Sequence, residues 1–204
     1  MCWRGRPVVD VVEPQPAEPP AAPPRRSVAI IALAVAAVCA VFFVVLVFAK
    51  SSSDTAKTEL LGQAAPPIES TTVDGQSFDL ATRRGSWVVL NFFATWCTPC
   101  RGEHPELLRF AETHAGSGVE LVSIADATDT KSAIDSFVSQ NGGAGDWPIV
   151  TDASSQVRIS YGVAKTPETW IVDPNGVVRA RVITTVTASK LDELLQRVSG
   201  GAQG

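Results

Sequence analysis

The sequence contains few of the residues that crosslink a small domain or bind a metal in it. Its 204 residues include four cysteines and two histidines, and Cys97 and Cys100 are the two cysteines that follow residue 65. A structural zinc site takes about four cysteine or histidine ligands, and His104 and His114 are not spaced as partners of the cysteine pair. A disulfide-stapled scaffold would carry several bridges. We therefore expect no metal, no bound cofactor, and a domain that folds on its hydrophobic core.

Clusters of basic residues and internal repeats are also missing from the sequence. Residues 51–204 carry 12 basic and 18 acidic residues, a net charge of −6, whereas residues 1–50 carry five basic and three acidic ones. A net-acidic domain is a poor partner for nucleic acids or anionic lipids. The composition therefore favours proteins or small thiols as partners of this domain.

Charged residues are absent from residues 28–49, which form an apolar run of 22 residues. A helix of that length, at about 1.5 Å per residue, crosses a hydrocarbon core of about 30 Å. Arg25 and Arg26 precede the run and Lys50 follows it, which favours a cytoplasmic N-terminus. The sequence thus predicts a disordered, proline-rich cytoplasmic tail over 1–27 and a single-pass anchor over 28–49, with the C-terminal domain outside the cytoplasm of a bacterium.

A cleaved signal peptide and a lipoprotein anchor are two other interpretations of the N-terminal region. Cleavage after Ala49 is conceivable because Val47 and Ala49 are small, but the apolar run exceeds the 7–15 residues or so that are usual in a signal peptide. Cys39 follows Val38 rather than a small residue, so we interpret it as an apolar filler and not as a lipoprotein cysteine. Residues 50–65 are expected to form a linker.

Strand-like and helix-like patterns alternate from residue 66 onward. Residues 173–176 (Asp-Pro-Asn-Gly) predict the turn of a hairpin. The sequence predicts an α/β domain over 66–199, followed by a flexible tail over 200–204. The expected strands cover 87–93, 119–125, 168–172 and 177–183, and the expected helices cover about 100–114, 130–140, 153–160 and 187–198.

The sequence Cys97-Thr98-Pro99-Cys100 lies where a buried strand ends and a helix begins. Cysteines at positions i and i+3 of a first helical turn can close a disulfide. Free amides and the helix dipole stabilise a thiolate at Cys97, and the thiolate is the attacking species in disulfide exchange. We therefore expect Cys97 to attack a substrate and Cys100 to resolve the mixed disulfide.

The same helix carries a candidate acid–base group one turn after Cys100. Cys100, Glu103, Leu107 and Ala111 share a stripe of the predicted helix, so Cys100 faces inward and Glu103 is a candidate proton acceptor for its thiol. A partly solvated helix carboxylate is the alternative for Glu103. His104 follows Cys100 by four residues and could approach the site, but we expect it to face solvent.

Two segments make the sequence resemble the TlpA/ResA/DsbE branch of the thioredoxin superfamily. They are residues 96–103, with Pro105 shortly after them, and residues 166–173, which are similar to the cis-proline loop of that family. The resemblance covers about residues 66–199. It implies a thioredoxin fold, a central mixed sheet flanked by helices, which would follow the N-terminal transmembrane helix predicted from the apolar run.

The resemblance also implies an activity and the residues that perform it. The family members include anchored reductants of cytochrome c maturation, so the chain is expected to reduce disulfides in exported apoproteins such as apocytochrome c and to be re-reduced by a membrane electron-donor protein. The redox-active disulfide between Cys97 and Cys100 would be the sole redox group, with Glu103 as the third catalytic residue. The implied substrate-binding residues are Trp96, Thr98, Pro99, Thr166, Pro167 and Glu168.

Two residues depart from the pattern of related proteins. Asn91 replaces the buried aspartate of cytosolic thioredoxin, so proton transfer must depend on another group, for which Glu103 is the candidate. Lys165 stands where close relatives often have glycine before the Thr-Pro pair, which changes the charge expected near the substrate.

Four other functions are alternatives to disulfide reduction. A peroxidase of the peroxiredoxin type would place proline and threonine where Leu90 and Ala94 stand, and a copper chaperone would use a C-x-x-x-C pair with a distant histidine. A dithiol oxidase that installs disulfides would use the same residues as a reductant. A non-catalytic redox-sensing or binding module is the alternative from another class.

Overall fold

The computed structural model describes residues 25–49 and 59–200. These residues fall into two units, of which the second contains the whole α/β domain. A five-stranded mixed sheet forms the centre of that domain, and its strands are β3 (Trp87–Phe92), β4 (Val119–Ile124), β5 (Ile149–Val150), β6 (Glu168–Val172) and β7 (Val178–Val182). Their order in the sheet is β5-β4-β3-β6-β7. β3 pairs in parallel with β4 and antiparallel with β6.

Helices and a small hairpin cover the two faces of the sheet. α2 (Thr98–His114) and α5 (Ala188–Gly200) pack on one face, in a core with Val89 of β3. The other face packs against α4 (Gln156–Ser160) and the β1–β2 hairpin, formed by Glu69–Thr71 and Ser77–Asp79. The remaining elements are a short 3₁₀ helix over Leu80–Arg83 and α3 (Lys131–Gln140).

β3 places the active-site motif because it is the central strand. Its side chains alternate between the two faces, so Val88, Leu90 and Phe92 enter one core while Val89 and Asn91 point towards α2. The strand is buried from its second residue onward, which explains its nearly continuous apolar sequence. The motif therefore starts where a rigid strand ends.

The structure agrees with the predicted α/β class and with the long predicted elements, and it adds shorter ones. The pairs of strands β3–β4 and β6–β7 lie within two residues of their predicted bounds, and the four predicted helices of the domain are present. The strands β1, β2 and β5 were not predicted. They are two or three residues long and have no period that a sequence pattern can show.

The folded domain begins earlier than residue 66. Gly62 donates a backbone hydrogen bond to Val178, and Leu60 and Leu61 pack against the buried core. The first folded residues thus lie inside the segment 50–65 that was expected to be a linker. Residues 1–24 of the tail expected over 1–27, residues 50–58 and the last four residues lie outside the described residues. The prediction of a disordered tail is wrong for residues 25–27, because the helix that contains the apolar run already begins at Arg25.

The N-terminal unit contains α1 (Arg25–Ala49), which includes the predicted anchor over 28–49. Side chains of α1 are described for residues 29–43. Among the residues whose side chains are described, 29–43 of α1 and 59–200, no helix is long and apolar enough to cross a membrane. The membrane anchor stays a prediction.

Candidate active site

A disulfide joins Cys97 and Cys100 at the start of α2. Their Cα atoms are 5.3 Å apart, and Cys97 caps the helix because its Sγ accepts a hydrogen bond of 3.2 Å from the backbone N–H of Cys100. A sulfur at this position lies at the positive end of the helix dipole, which favours a negative charge there. The structure therefore places Cys97 where a thiolate is stabilised after reduction.

Both sulfur-bearing residues are recessed, although exposed residues surround them. Cys97 is 4% exposed and Cys100 is 2% exposed, while the neighbouring Trp96 is 63% exposed. Thr98 and Pro99, between the cysteines, are also exposed. The three residues that were expected to contact substrate from this loop are therefore available at the surface beside the disulfide.

The loop that leads into the motif is held by an aspartate from a different element. Thr95 donates from its backbone N–H and from its hydroxyl to the carboxylate of Asp129, with a shortest distance of 2.6 Å from Oγ1 to Oδ1. Asp129 lies just before α3, 34 residues further along the chain. Sequence reasoning missed this contact, because nothing in the local pattern links the two residues.

Glu103 is buried beside the resolving cysteine. It is 2% exposed, so the alternative of a partly solvated carboxylate is wrong. Its Oε1 accepts a hydrogen bond of 2.7 Å from the backbone N–H of Val186, and its Oε2 accepts one of 3.0 Å from Asn91. Burial raises the pKa of Glu103 to about 7, and these two hydrogen bonds oppose part of that shift. A carboxyl with such a pKa can take up or release a proton at neutral pH.

Asn91, the residue that departs from cytosolic thioredoxin, supports Glu103. Its Nδ2 donates to Glu103 and also lies 3.3 Å from the hydroxyl of Thr169 on β6. An amide can donate to a carboxylate without adding a second negative charge to the buried site. The partnership of Asn91 with Glu103 was not predicted, and Val186 was missed as well because it lies 83 residues after Glu103.

His104 does not face solvent, and that expectation is wrong. Its ring is 5% exposed and lies against Phe137 of α3 and Trp147 of the loop after α3. Its Nε2 lies 3.0 Å from the backbone oxygen of Gly143. The prediction failed because residues 141–147 fold over this side of α2, which is a tertiary contact without a local sequence signal.

The predicted cis-proline loop lies beside the disulfide loop. The peptide bond between Thr166 and Pro167 is cis. The next residue, Glu168, is paired with Phe92 at the end of β3, from which the active-site loop departs. Pro167 is buried, Thr166 is half-buried and Lys165 is exposed. The sheet therefore brings two motifs that are 70 residues apart to the same edge.

Glu168 has a buried carboxylate that is already paired. It is 1% exposed, and its two oxygens accept hydrogen bonds of 3.0 and 3.1 Å from Arg181 of β7. The indole N–H of Trp170 also donates to it, at 2.7 Å. Any contact of Glu168 with a substrate would therefore have to use its backbone, while its side chain fixes the start of β6.

Within residues 25–49 and 59–200, no group of three or more His, Cys, Asp and Glu side chains is arranged to hold a metal ion. The expectation that the chain uses no metal and no cofactor stays a prediction.

A redox-active pair at this position of this fold defines the class of protein: it is a thioredoxin-fold thiol–disulfide oxidoreductase. Comparison with known proteins then gives the family. The model of the AhpC/TSA family matches residues 61–181, and the chain belongs to that family.

Relatives and solved structures confirm the resemblance to ResA and DsbE. Thiol-disulfide oxidoreductase ResA of Bacillus thuringiensis (strain Al Hakam) is 30% identical over 139 residues, which cover 68% of this chain and 79% of the relative. ResA of Geobacillus thermodenitrificans is 31% identical over 145 residues, covering 71% and 82%. A crystal structure of a secreted Mycobacterium tuberculosis disulfide oxidoreductase homologous to E. coli DsbE has 30% identity and a TM-score of 0.54, covering 65% and 95%.

Proposed function

We propose that this oxidoreductase is a reductant that works on the outer side of a bacterial membrane. Its substrates would be disulfides in exported apoproteins, such as the haem-attachment cysteines of apocytochrome c. The predicted anchor over residues 28–49 supports this location, and so does the similarity to a secreted protein of Mycobacterium tuberculosis. A membrane electron-donor protein would restore the reduced state.

The observation that carries the reductant direction is the buried carboxyl of Glu103. Strong dithiol oxidants stabilise their reduced form, with an attacking thiol whose pKa lies far below the usual value. A buried carboxylate one helical turn from Cys100 adds negative charge near the thiols and opposes a thiolate there. It thereby reduces the stabilisation that a thiolate gives to the reduced form in the dithiol oxidants, which favours a lower reduction potential than theirs.

The proposed cycle uses the recessed pair in two steps. The Cys97 thiolate attacks a substrate disulfide, forms a mixed disulfide and releases one substrate thiol. Cys100 then gives its proton to Glu103 and attacks the sulfur of Cys97, which closes the disulfide seen in the structure and releases the second substrate thiol. Trp96, Thr98 and Pro99 on one loop, with Thr166, Pro167 and the backbone of Glu168 on the other, would hold the substrate chain.

The reduction potential of the full chain tests the direction of electron flow. Equilibration with glutathione buffers at pH 7 should give a value of about −200 to −270 mV, in the range of glutaredoxins and thioredoxin. A value near −120 mV would assign the chain to the dithiol oxidases instead. Replacing Glu103→Gln should raise the potential, more so at pH 8, whereas Glu112→Gln on the exposed side of α2 should leave it unchanged.

A further inference from the structure

His104 is a second buried titratable side chain next to the resolving cysteine. It follows Cys100 by four residues on α2, and side chains with this spacing are neighbours on a helix. Its ring contacts the edge of Phe137, with centroids 5.4 Å apart, and tilts against Trp147 at 5.7 Å. The mechanism above does not use this imidazole.

The hydrogen bond of His104 determines which ring nitrogen is free. The backbone oxygen of Gly143 can only accept, so the Nε2 that lies 3.0 Å from it must carry the hydrogen. Burial lowers the pKa of His104 below its usual value of 6.5, so the ring is neutral at pH 7. In a neutral ring with a hydrogen on Nε2, Nδ1 has an unprotonated lone pair that can accept a proton.

A small cavity joins His104 to Cys100. The cavity has a volume of about 10 Å³, and its polar lining comes from Asn91, Cys100, His104 and Ser123. Roughly 10–15 Å³ is the smallest volume that holds one water molecule. Cys100 and His104 thus line one common cavity, whose volume lies at the lower limit for a single water molecule.

We propose that His104 is a second proton acceptor for the Cys100 thiol during resolution of the mixed disulfide. The proton of Cys100 passes to Nδ1 of His104, and the new thiolate attacks the sulfur of Cys97. The bond between Cys97 and Cys100 forms as the bond to the substrate sulfur breaks, so Cys100 is oxidised and the substrate sulfur is reduced. The leaving thiolate takes a proton from solvent, and His104 returns its proton to solvent. This inference rests on the roles assigned to the two cysteines but not on the direction of electron flow.

The surroundings of His104 contain few other titratable groups. The elements packed against it contribute Phe137 from α3, Ser123 from β4, and Gly143 and Trp147 from the loop after α3. None of these is charged. Cys100, on the same helix, is the titratable residue that lines one cavity with His104, whereas Asp146 of the loop after α3 lines a different one.

The two acceptors work in different pH ranges. The Glu103 carboxyl, with a pKa of about 7, is mostly protonated below pH 7 and accepts a proton only when ionised. The pKa of His104 lies below 6.5, so its imidazole is a base already at pH values where Glu103 is still protonated. Between these two pKa values, His104 is the available acceptor.

Stopped-flow reaction of the reduced full chain, in which Cys2 and Cys39 are replaced by serine, with an aromatic disulfide such as Ellman's reagent separates the two steps. The first thiol released reports attack by Cys97, and the second reports resolution by Cys100. Two replacements of His104 separate packing from proton transfer. His104→Phe keeps an aromatic ring against Phe137 and Trp147, whereas His104→Gln keeps a polar group. His114→Gln, at the far end of α2, is the matched control.

Both His104 variants should slow the second step severalfold at pH 6 to 6.5 and much less at pH 8, while the first step and the His114→Gln control stay unchanged. In Glu103→Gln, the second step should keep a pH dependence with a midpoint below 6.5, and adding His104→Gln should abolish that dependence. A His104→Phe variant with the wild-type profile, or equal slowing at every pH, would overturn the proposal. Loss of the two-step release itself in the wild type would instead refute the cysteine roles.

Discussion

At the scale of single residues, the two cysteines have nearly equal burial but different positions. Cys97 precedes the helix between the exposed residues Trp96 and Thr98, whereas Cys100 lies inside the first turn of α2. A substrate can therefore reach Cys97 without disturbing the helix. Replacing Cys100→Ala should trap partners on Cys97 as mixed disulfides, and Cys97→Ala should trap none; non-reducing electrophoresis and mass spectrometry of the adducts measure the difference.

The trapping experiment needs a chain in which other thiols cannot contribute. Cys2 and Cys39 are replaced by serine in both variants and in the parent chain. The parent should show little adduct because Cys100 resolves it. Equal amounts of adduct on the two variants would refute the division of roles between the cysteines.

At the scale of elements, a buried ion pair connects β6 and β7 next to the cis-proline loop. Arg181 neutralises Glu168 and lies over the ring of Trp170, with 4.8 Å from its guanidinium carbon to the ring centroid. Removing one partner of a buried pair leaves an unpaired charge and costs about 3–5 kcal/mol. Arg181→Met should therefore lower the free energy of unfolding by about that amount, as measured by urea denaturation of the full chain.

Two further variants distinguish the ion pair from a general loss of charge. In Glu168→Gln combined with Arg181→Met, the buried charge is absent, so most of the stability should return. Arg109→Met removes a cation that pairs with Glu106 at the surface, and such pairs contribute about 0–1 kcal/mol. If Arg181→Met lowered the free energy of unfolding as little as Arg109→Met, Glu168 would not depend on Arg181 to neutralise its charge.

The elements also show why part of the structure was predictable. The strand β3 and the helix α2 carry their own signals: a nearly continuous apolar run, and a Pro-containing turn followed by an apolar stripe. The positions of Glu103 and His104 depend instead on Val186 and on Gly143, which lie 83 and 39 residues away. The sequence pattern correctly placed Glu103 on the inward stripe of α2, but it could not show which chain segments cover the helix.

At the scale of the whole molecule, Glu103 makes stability depend on pH. Its pKa is raised from 4.5 to about 7, so folding favours the protonated form. The resulting stability is fully present below about pH 4.5 and is lost as pH rises through 7. At about 1.36 kcal/mol per unit of pKa, the loss is about 3 kcal/mol at most. Replacing Glu103→Gln should remove this loss, which denaturant unfolding at several pH values from 4 to 8 measures.

At each pH, the free energy of unfolding of the wild type is compared with that of Glu103→Gln. Asp126 and Asp173 have a lowered pKa, so their contributions to stability change only at more acidic pH and are common to both chains. Glu112→Gln on the exposed side of the same helix should follow the wild-type curve. If the difference in free energy of unfolding between the wild type and Glu103→Gln stayed constant from pH 5 to pH 8, the carboxyl would not be desolvated.

Because the disulfide is recessed, access to its sulfur atoms affects how fast it exchanges with thiols in solution. The rate of exchange depends on access to the sulfur as well as on the reduction potential. With both cysteines less than 5% exposed, a small thiol that makes no contact with the surface around Trp96 should reach the sulfur slowly. The proposed protein partners, which would contact that surface, would then determine the redox state of the protein more than the potential of the medium does.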